Sequence, residues 1–244
     1  MSALYHSLIF YPLYNTLVGL FTLLPWADAG IVVILLTLIV RLALFPLSKK
    51  AVLTQVRMQQ INPELKEIKE RYKDNQEEQA RKTLALYKEK GVNPFSGIFV
   101  LLIQLPIIFA LYGIFLHAGF PGVDSSILYS FVHAPDEINT MFLGLINITE
   151  KSVVLAFFAA VTTFFQLKLA TGGLSNKSNN PNEKKSFGED LAQSMQTQMK
   201  YIFPVLVFFI SYKISGVIAL YWLTSNLFTI GQEIVVRRNI PKTT

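Results

Sequence analysis

Long apolar blocks alternate with polar blocks along this chain. Five of the apolar blocks, 30–48, 93–117, 152–170, 197–213 and 214–236, approach or reach the roughly 20 residues that a helix rising 1.5 Å per residue needs to cross a hydrocarbon core. Inside them the apolar residues run on without the spacing of a one-faced helix, so lipid is the expected surround. The last two blocks are parted only by "YKISG" and form a tight hairpin. The pattern predicts an all-α integral membrane protein with a five-transmembrane-helix core.

The polar blocks add two further elements. In 49–92, Ile61, Leu65, Ile68 and Tyr72 recur at helical spacing. "KDNQEEQ" then makes a turn, with Asn75 as N-cap and Glu78 three residues on. The second helix closes in "KEKGVNP", with lysines in its last turn, Gly91 as C-cap and Pro94 beyond. This is a cytosolic helical hairpin. The stretch 1–29 is apolar but interrupted by Pro12, Asn15 and Thr16. Asn15, Gly19 and Thr22 share one helical face, while Leu13, Leu17, Leu20 and Leu24 cover much of the other. An N-terminal interfacial helix anchored by Trp26 is expected, with a sixth span as the alternative. Residues 118–151 form an outer loop, 171–196 a flexible Gly/Ser/Asn loop with nothing to bury, and 237–244 a basic tail.

Charge orients the spans. Of 22 Lys and Arg residues, eleven lie between 49 and 90, and the 171–196 loop and the tail are basic too. The outer loop holds Asp124, Asp136, Glu137 and Glu150 instead. The N-terminus is therefore expected outside and the C-terminus in the cytosol. Lys151 and Lys213 are exceptions at outer span edges, where a lysine reaches headgroups. The net charge of +6 is accounted for by cytosolic loops, so no DNA partner is expected. Charged residues make up 16% of the chain, against about a quarter in soluble domains. The absence of cysteine excludes disulfides, thiolate chemistry and a lipidated N-terminal cysteine. No Lys or Arg occurs in the first thirty residues, so a cleavable signal or transit peptide is not expected.

Arg41 is the residue the membrane reading must explain. Arginine at a span centre costs roughly 2.5–3.5 kcal/mol on insertion scales. Three accounts are open: snorkelling to the basic boundary, an ion pair with Glu233, or a water-filled cavity open to the cytosol. Trp222, Ser225, Asn226, Thr229 and Glu233 form one stripe on the last span, bordered by Gln232. Thr162, Thr163 and Gln166 cluster on the third span, Thr37 lies one turn before Arg41, and Gln104 sits beside Pro106. Interhelical hydrogen bonding explains any one set; several together favour the cavity. There is no phosphate loop, HExxH or Gly-x-Ser-x-Gly. His6, His117 and His133 lie in outer segments without metal-ligand spacing. No enzyme activity, cofactor or metal is expected.

Four motifs in order carry a resemblance: "LTLIVRLALFPLSKKA", "GVNPFSGIFVLLIQLPIIFALYGIF", "VTTFFQLKL" and "MQTQMKYIFPVLVFFISYKISGVIALYWLTSNLFTIGQEIVVRR". Together with the hairpin they resemble the YidC/Oxa membrane protein insertases over 30–238. The resemblance implies a bacterial plasma-membrane insertase and chaperone. Arg41, Thr37, Gln166 and Trp222 would line a hydrophilic groove open to cytosol and lipid, and the polar stripes add Asn226, Thr229, Gln104 and Glu233. Nascent membrane proteins are the implied substrates. Ribosome, targeting factor and Sec translocon are the implied partners of the hairpin and tail. The chain departs from many relatives: no additional first span with a large periplasmic domain, no lipoprotein cysteine, a short tail, and Glu233 where a Gln-Gln pair is more usual. A small-solute transporter or channel using the same cavity is the competing reading; its acidic relay or inverted repeats are not visible.

Overall fold

The computed structural model describes residues 2–93, 96–116, 121–171 and 187–238, and they are mostly helical. His117, most of the 171–196 loop and the tail beyond Arg238 lie outside the described residues. The chain opens with α1 (Ser2–Tyr5), a π-helical turn (His6–Phe10) and α2 (Tyr11–Leu23), and continues with α3 (Ala29–Ala43) and α4 (Phe45–Gln60). Then come α5 (Asn62–Arg71), α6 (Gln76–Glu89), α7 (Ser96–Leu116), a short hairpin of β1 (Met141–Phe142) and β2 (Ile146–Asn147), α8 (Val153–Thr171), α9 (Phe187–Ile214) and α10 (Gly216–Arg238).

Local chemistry explains the boundaries. Asp28 caps α3, accepting from the Ile31 N–H at 3.0 Å, and its second oxygen accepts from the Leu143 N–H at 2.9 Å. Between α3 and α4 the chain bends by 64° at Leu44. Pro46, in the first turn of α4, has no N–H to continue the α3 ladder. The expected straight run 30–48 is thus a bent one, and its helix carries on to Gln60. Asn75 caps α6 by accepting from the Glu78 N–H at 3.1 Å, and Gly91 ends that segment at φ +62°. The α5–α6 pair encloses a small core of Ile61, Leu65, Leu86 and Val92, and Lys90 pairs with Glu64 across it at 2.9 Å.

The main core joins α2, α3, α7 and α10 around Leu17, Val32, Leu36, Ile114 and Ile218. α10 packs on both α3 and α8, and α9 on α8. Asn15 falls in this core, 3% exposed, and not on a watery face of α2. Its amide donates to the Ile127 carbonyl at 3.0 Å and accepts from the Tyr129 N–H at 2.6 Å. A buried polar side chain is tolerated because both its ends are bonded. Trp26 is exposed.

The surface is apolar where a soluble protein's is polar. Phe109, Phe157, Phe209, Leu227 and Val235 are each more than half exposed. Among the described residues, α8 carries an 18-residue apolar window, Val153–Ala170, long enough to cross a bilayer, and α3 with α4 qualifies as a bent pair. In water such a surface would associate or aggregate; in acyl chains it is neutral.

The β hairpin sits over the N-terminal end of α3. A Cβ on Gly30 would lie 2.1 Å from Phe142 Cδ2, closer than real atoms approach. Gly30→Ala is expected to cost about 1–3 kcal/mol through overpacking. In a Phe142→Gly background, which also removes the Phe142 Cβ that would lie at 2.8 Å, the same change should cost less than about 0.5 kcal/mol. Thermal denaturation of the four detergent-purified proteins measures both numbers.

Candidate polar site between the helices

The bend at Leu44 leaves Arg41 near the end of α3, facing α10. Its Nε donates to Ser225 Oγ at 2.7 Å, and Nη2 donates to the same oxygen. Ser225 is fully buried. One turn earlier on α10, the buried Tyr221 hydroxyl accepts from Gln104 Nε2 of α7. A single stripe of α10 therefore ties α3 and α7 together. One of the three accounts of Arg41, the ion pair with Glu233, fails on this geometry. The guanidinium turns toward α10. Glu233 is spoken for: Arg237 Nε and Nη2 donate to its Oε1 at 2.9 and 2.7 Å. Those two stand four apart on one helix, the spacing at which such pairs form. Among the described residues Arg41 makes no ion pair. Two of its five N–H groups are used on Ser225, which leaves three for other acceptors.

The eight residues singled out from the sequence divide by burial. Arg41, Gln104, Gln166, Trp222 and Thr229 are half-buried. Thr37, Asn226 and Glu233 are 1%, 4% and 2% exposed. Thr37 donates to its own helix at the Val33 carbonyl, 2.6 Å away, and Thr229 likewise to the Ser225 carbonyl at 2.8 Å. Asn226 faces α8: its amide donates to Thr163 Oγ1 at 2.7 Å, Thr162 Oγ1 at 3.2 Å and the Ala159 carbonyl at 3.3 Å. The α8 threonines are thus packing partners of α10. Gln166, one turn beyond them, makes no hydrogen bond among the described residues.

The ends of the helices nearest the basic segments are joined by a second polar group. Ser48 of α4 and Gln232 of α10 hydrogen-bond reciprocally, at 2.7 and 3.0 Å. Arg237 also donates to Gln59 Oε1 at 3.0 Å and to the Leu169 carbonyl at 3.4 Å. Gln55 and Gln59 donate to the Ala170 carbonyl. The last carbonyls of α8 lack intrahelical partners, and these cationic and amide donors satisfy them. Sequence reasoning passed over Tyr221, Gln55 and Gln59. Tyr221 carries a signal, since it precedes Ser225 by four; the two glutamines lie in an unremarkable polar run.

A sequence profile described as "60Kd inner membrane protein" matches residues 20–243. The chain belongs to this family. It is, with the family, a protein of the bacterial inner membrane, and the YidC/Oxa resemblance of its four motifs is the same assignment. Similar relatives include a membrane protein insertase YidC of Fusobacterium nucleatum, 31% identical over 209 residues, which cover 86% of each chain. One of Clostridium tetani is 29% identical over 215 residues, 88% of this chain and 84% of that one. A third, of Streptomyces avermitilis, is 28% identical over 253 residues, 95% of this chain but 56% of the longer relative.

In this YidC/Oxa chain the α8–α10 contact rests on Asn226. Interhelical hydrogen bonds in membranes average about 0.6 kcal/mol, with a maximum near 1.7. Asn226→Ala, which deletes three at once, is expected to cost about 1–2 kcal/mol. Thr163→Val in the Asn226→Ala background should add almost nothing. Thermal unfolding of the purified variants gives both values.

Proposed function

We propose that this chain is a membrane protein insertase that receives polar segments of nascent membrane proteins at a recess around Arg41. One observation carries the reading. Among the described residues, a guanidinium inside an apolar helix is held by a neutral hydroxyl, has no carboxylate, and keeps three N–H donors for an incoming acceptor. The names of the relatives point the same way. Half-buried Gln104, Gln166, Trp222 and Thr229 belong to the recess, while buried Thr37, Asn226 and Glu233 shape its walls.

In this reading α3, α7, α8, α9 and α10 are five spans, with the N-terminus outside and α5–α6 in the cytosol. The cytosolic hairpin and the basic tail are the surfaces for ribosome, targeting factor or Sec translocon. A wet recess reaching part-way into the bilayer shortens the dry path of about 30 Å that a polar tail must cross. Arg41 attracts acidic groups more strongly there than in bulk water. The substrate's apolar span then partitions sideways into lipid, at roughly 25 cal/mol per Å² of apolar surface buried. An inside-negative potential favours outward movement of negative charge, by about 2.3 kcal/mol per charge per 100 mV. No nucleotide hydrolysis enters the cycle.

Arg41→Ala is expected to slow insertion of substrates with acidic outer tails by roughly tenfold, one charge-assisted contact in a poorly hydrated site. Arg41→Lys should retain more activity. A photocrosslinker at Gln166 or Trp222 should capture a stalled nascent span, and one at lipid-facing Phe157 should not. Equal insertion by wild type and Arg41→Ala, with no capture at Gln166 or Trp222, overturns the proposal. The topology is tested separately. The chain lacks cysteine, so Ser130→Cys should react with an impermeant maleimide in intact cells, and Lys73→Cys only after permeabilisation.

A further inference from the structure

A cleft of about 400 Å³ lies between the N-terminal segment, α7 and the 3-10 turn Ser125–Ile127. It is remote from Arg41. Gly113, in its wall, stands nine residues along α7 from Gln104, roughly 13 Å away at helical rise. Its lining is aromatic with one carboxylate: Tyr5, His6, Phe10, Tyr11, Phe109 and Asp124.

The site is built, not incidental. The π-helical turn puts the Tyr11 N–H on the His6 carbonyl, and the extra residue per turn gathers four rings into one sector. The His6 ring lies 5.4 Å from both Tyr5 and Phe10 and 5.7 Å from Tyr11, while Phe10 stacks on Tyr14 at 6.1 Å. Gly113 leaves the room that Phe10 occupies; a Cβ there would come within 3.2 Å of Phe10 Cε2. Buried Tyr14 and Asn15 strap the loop over the cleft. The Asp124 N–H donates to the Tyr14 hydroxyl at 2.7 Å, and Asn15 holds Ile127 and Tyr129. Asp124 Oδ1 accepts from the Ser126 N–H at 3.0 Å and the Ser126 hydroxyl at 2.6 Å. Those two bonds hold its carboxyl below the usual carboxylate range. Oδ2 makes no bond among the described residues, and no Lys or Arg lines the cleft.

Aromatic faces with a carboxylate recognise an organic cation: the ring quadrupoles attract the charge and the carboxylate accepts its N–H. An anion is repelled. The mouth decides the source of that cation. Phe109, which lines the cleft from α7, is 62% exposed, so apolar surface runs directly into the cleft. A ligand with an ammonium at one end and acyl chains at the other matches both. We propose that the cleft binds the ammonium headgroup of an amine-bearing phospholipid, whose acyl chains lie along Phe109. The bound lipid would pin the N-terminal segment to α7 at headgroup level, independently of any insertase role for Arg41.

The test is native mass spectrometry of the full chain in mild detergent with equal amounts of dioleoyl phosphatidylethanolamine and dioleoyl phosphatidylglycerol. Wild type should retain the ethanolamine lipid roughly fivefold or more over the glycerol lipid. Asp124→Asn, which keeps an acceptor for Ser126, should bring the ratio near one. Tyr11→Leu should lower it. Asp136→Asn, an exposed acid elsewhere in the same loop, should leave it unchanged. Equal retention of both lipids by wild type overturns the proposal, as does loss of preference in Asp136→Asn to the same extent. Displacement by an equal concentration of glycerophosphoethanolamine would mark a site for soluble amines and overturn it too.

Discussion

The hydrogen bonds from Arg41 to Ser225 are the constraint around which the described helices are arranged. A guanidinium within apolar surroundings must have acceptors, since the alternative costs several kcal/mol. A carboxylate partner would neutralise it and cement α3 to α10. A hydroxyl only orients it. The charge therefore survives in a place of low dielectric, where it acts over longer distances than in water. The bend at Leu44, which Pro46 imposes, carries α4 away and leaves the last turn of α3 turned toward α10. Tyr221, Ser225 and Gln232 then read as successive contacts of one α10 stripe, to α7, α3 and α4 respectively.

Much of this was legible in the residues. Asn75 and Gly91 announced the limits of α6, and the stripe on the last span its buried side; the proline of "LFPL" carried the signal for the bend after α3, but 30–48 was read as one straight span. The partners were not legible. Glu233 is the one acidic residue of the five apolar blocks, so a pair with Arg41 was one of the open accounts. Arg237, one turn beyond Glu233, was counted with the tail although the i, i+4 spacing favoured it. Asn15 was placed on a polar face because periodicity sees residue type and not distant backbone. Its partners are peptide groups of Ile127 and Tyr129, more than a hundred residues away. The hairpin of β1 and β2 escaped notice because two-residue strands have no periodicity, and its turn carries Leu143 and Gly144 at positive φ.

Burial also sorts the polar residues in a way composition does not. Asn226 with Thr162 and Thr163 looked like groove lining, yet the three satisfy one another and the Ala159 carbonyl. Membrane helices have no hydrophobic drive toward each other, so such contacts are what joins α8 to α10. Among the described residues, half-buried Arg41, Gln166 and Trp222 have donors to spare. Recognition of a passing segment needs unsatisfied groups; cohesion of the bundle needs satisfied ones. The two tasks fall to different residues of the same helices.

The strengths of these contacts set what an incoming chain displaces. The Arg41 bond to Ser225 is already charge-assisted on the donor side; a carboxylate would add opposite charge and two oxygens that match the guanidinium fork. In the proposed reading such a carboxylate competes with Ser225, whose hydroxyl is left with the ordinary option of bonding its own helix, as Thr37 and Thr229 already do. Farther along α10, Arg237 is already held by Glu233 and Gln59, whereas Arg41 within the apolar block is bonded to a neutral hydroxyl among the described residues.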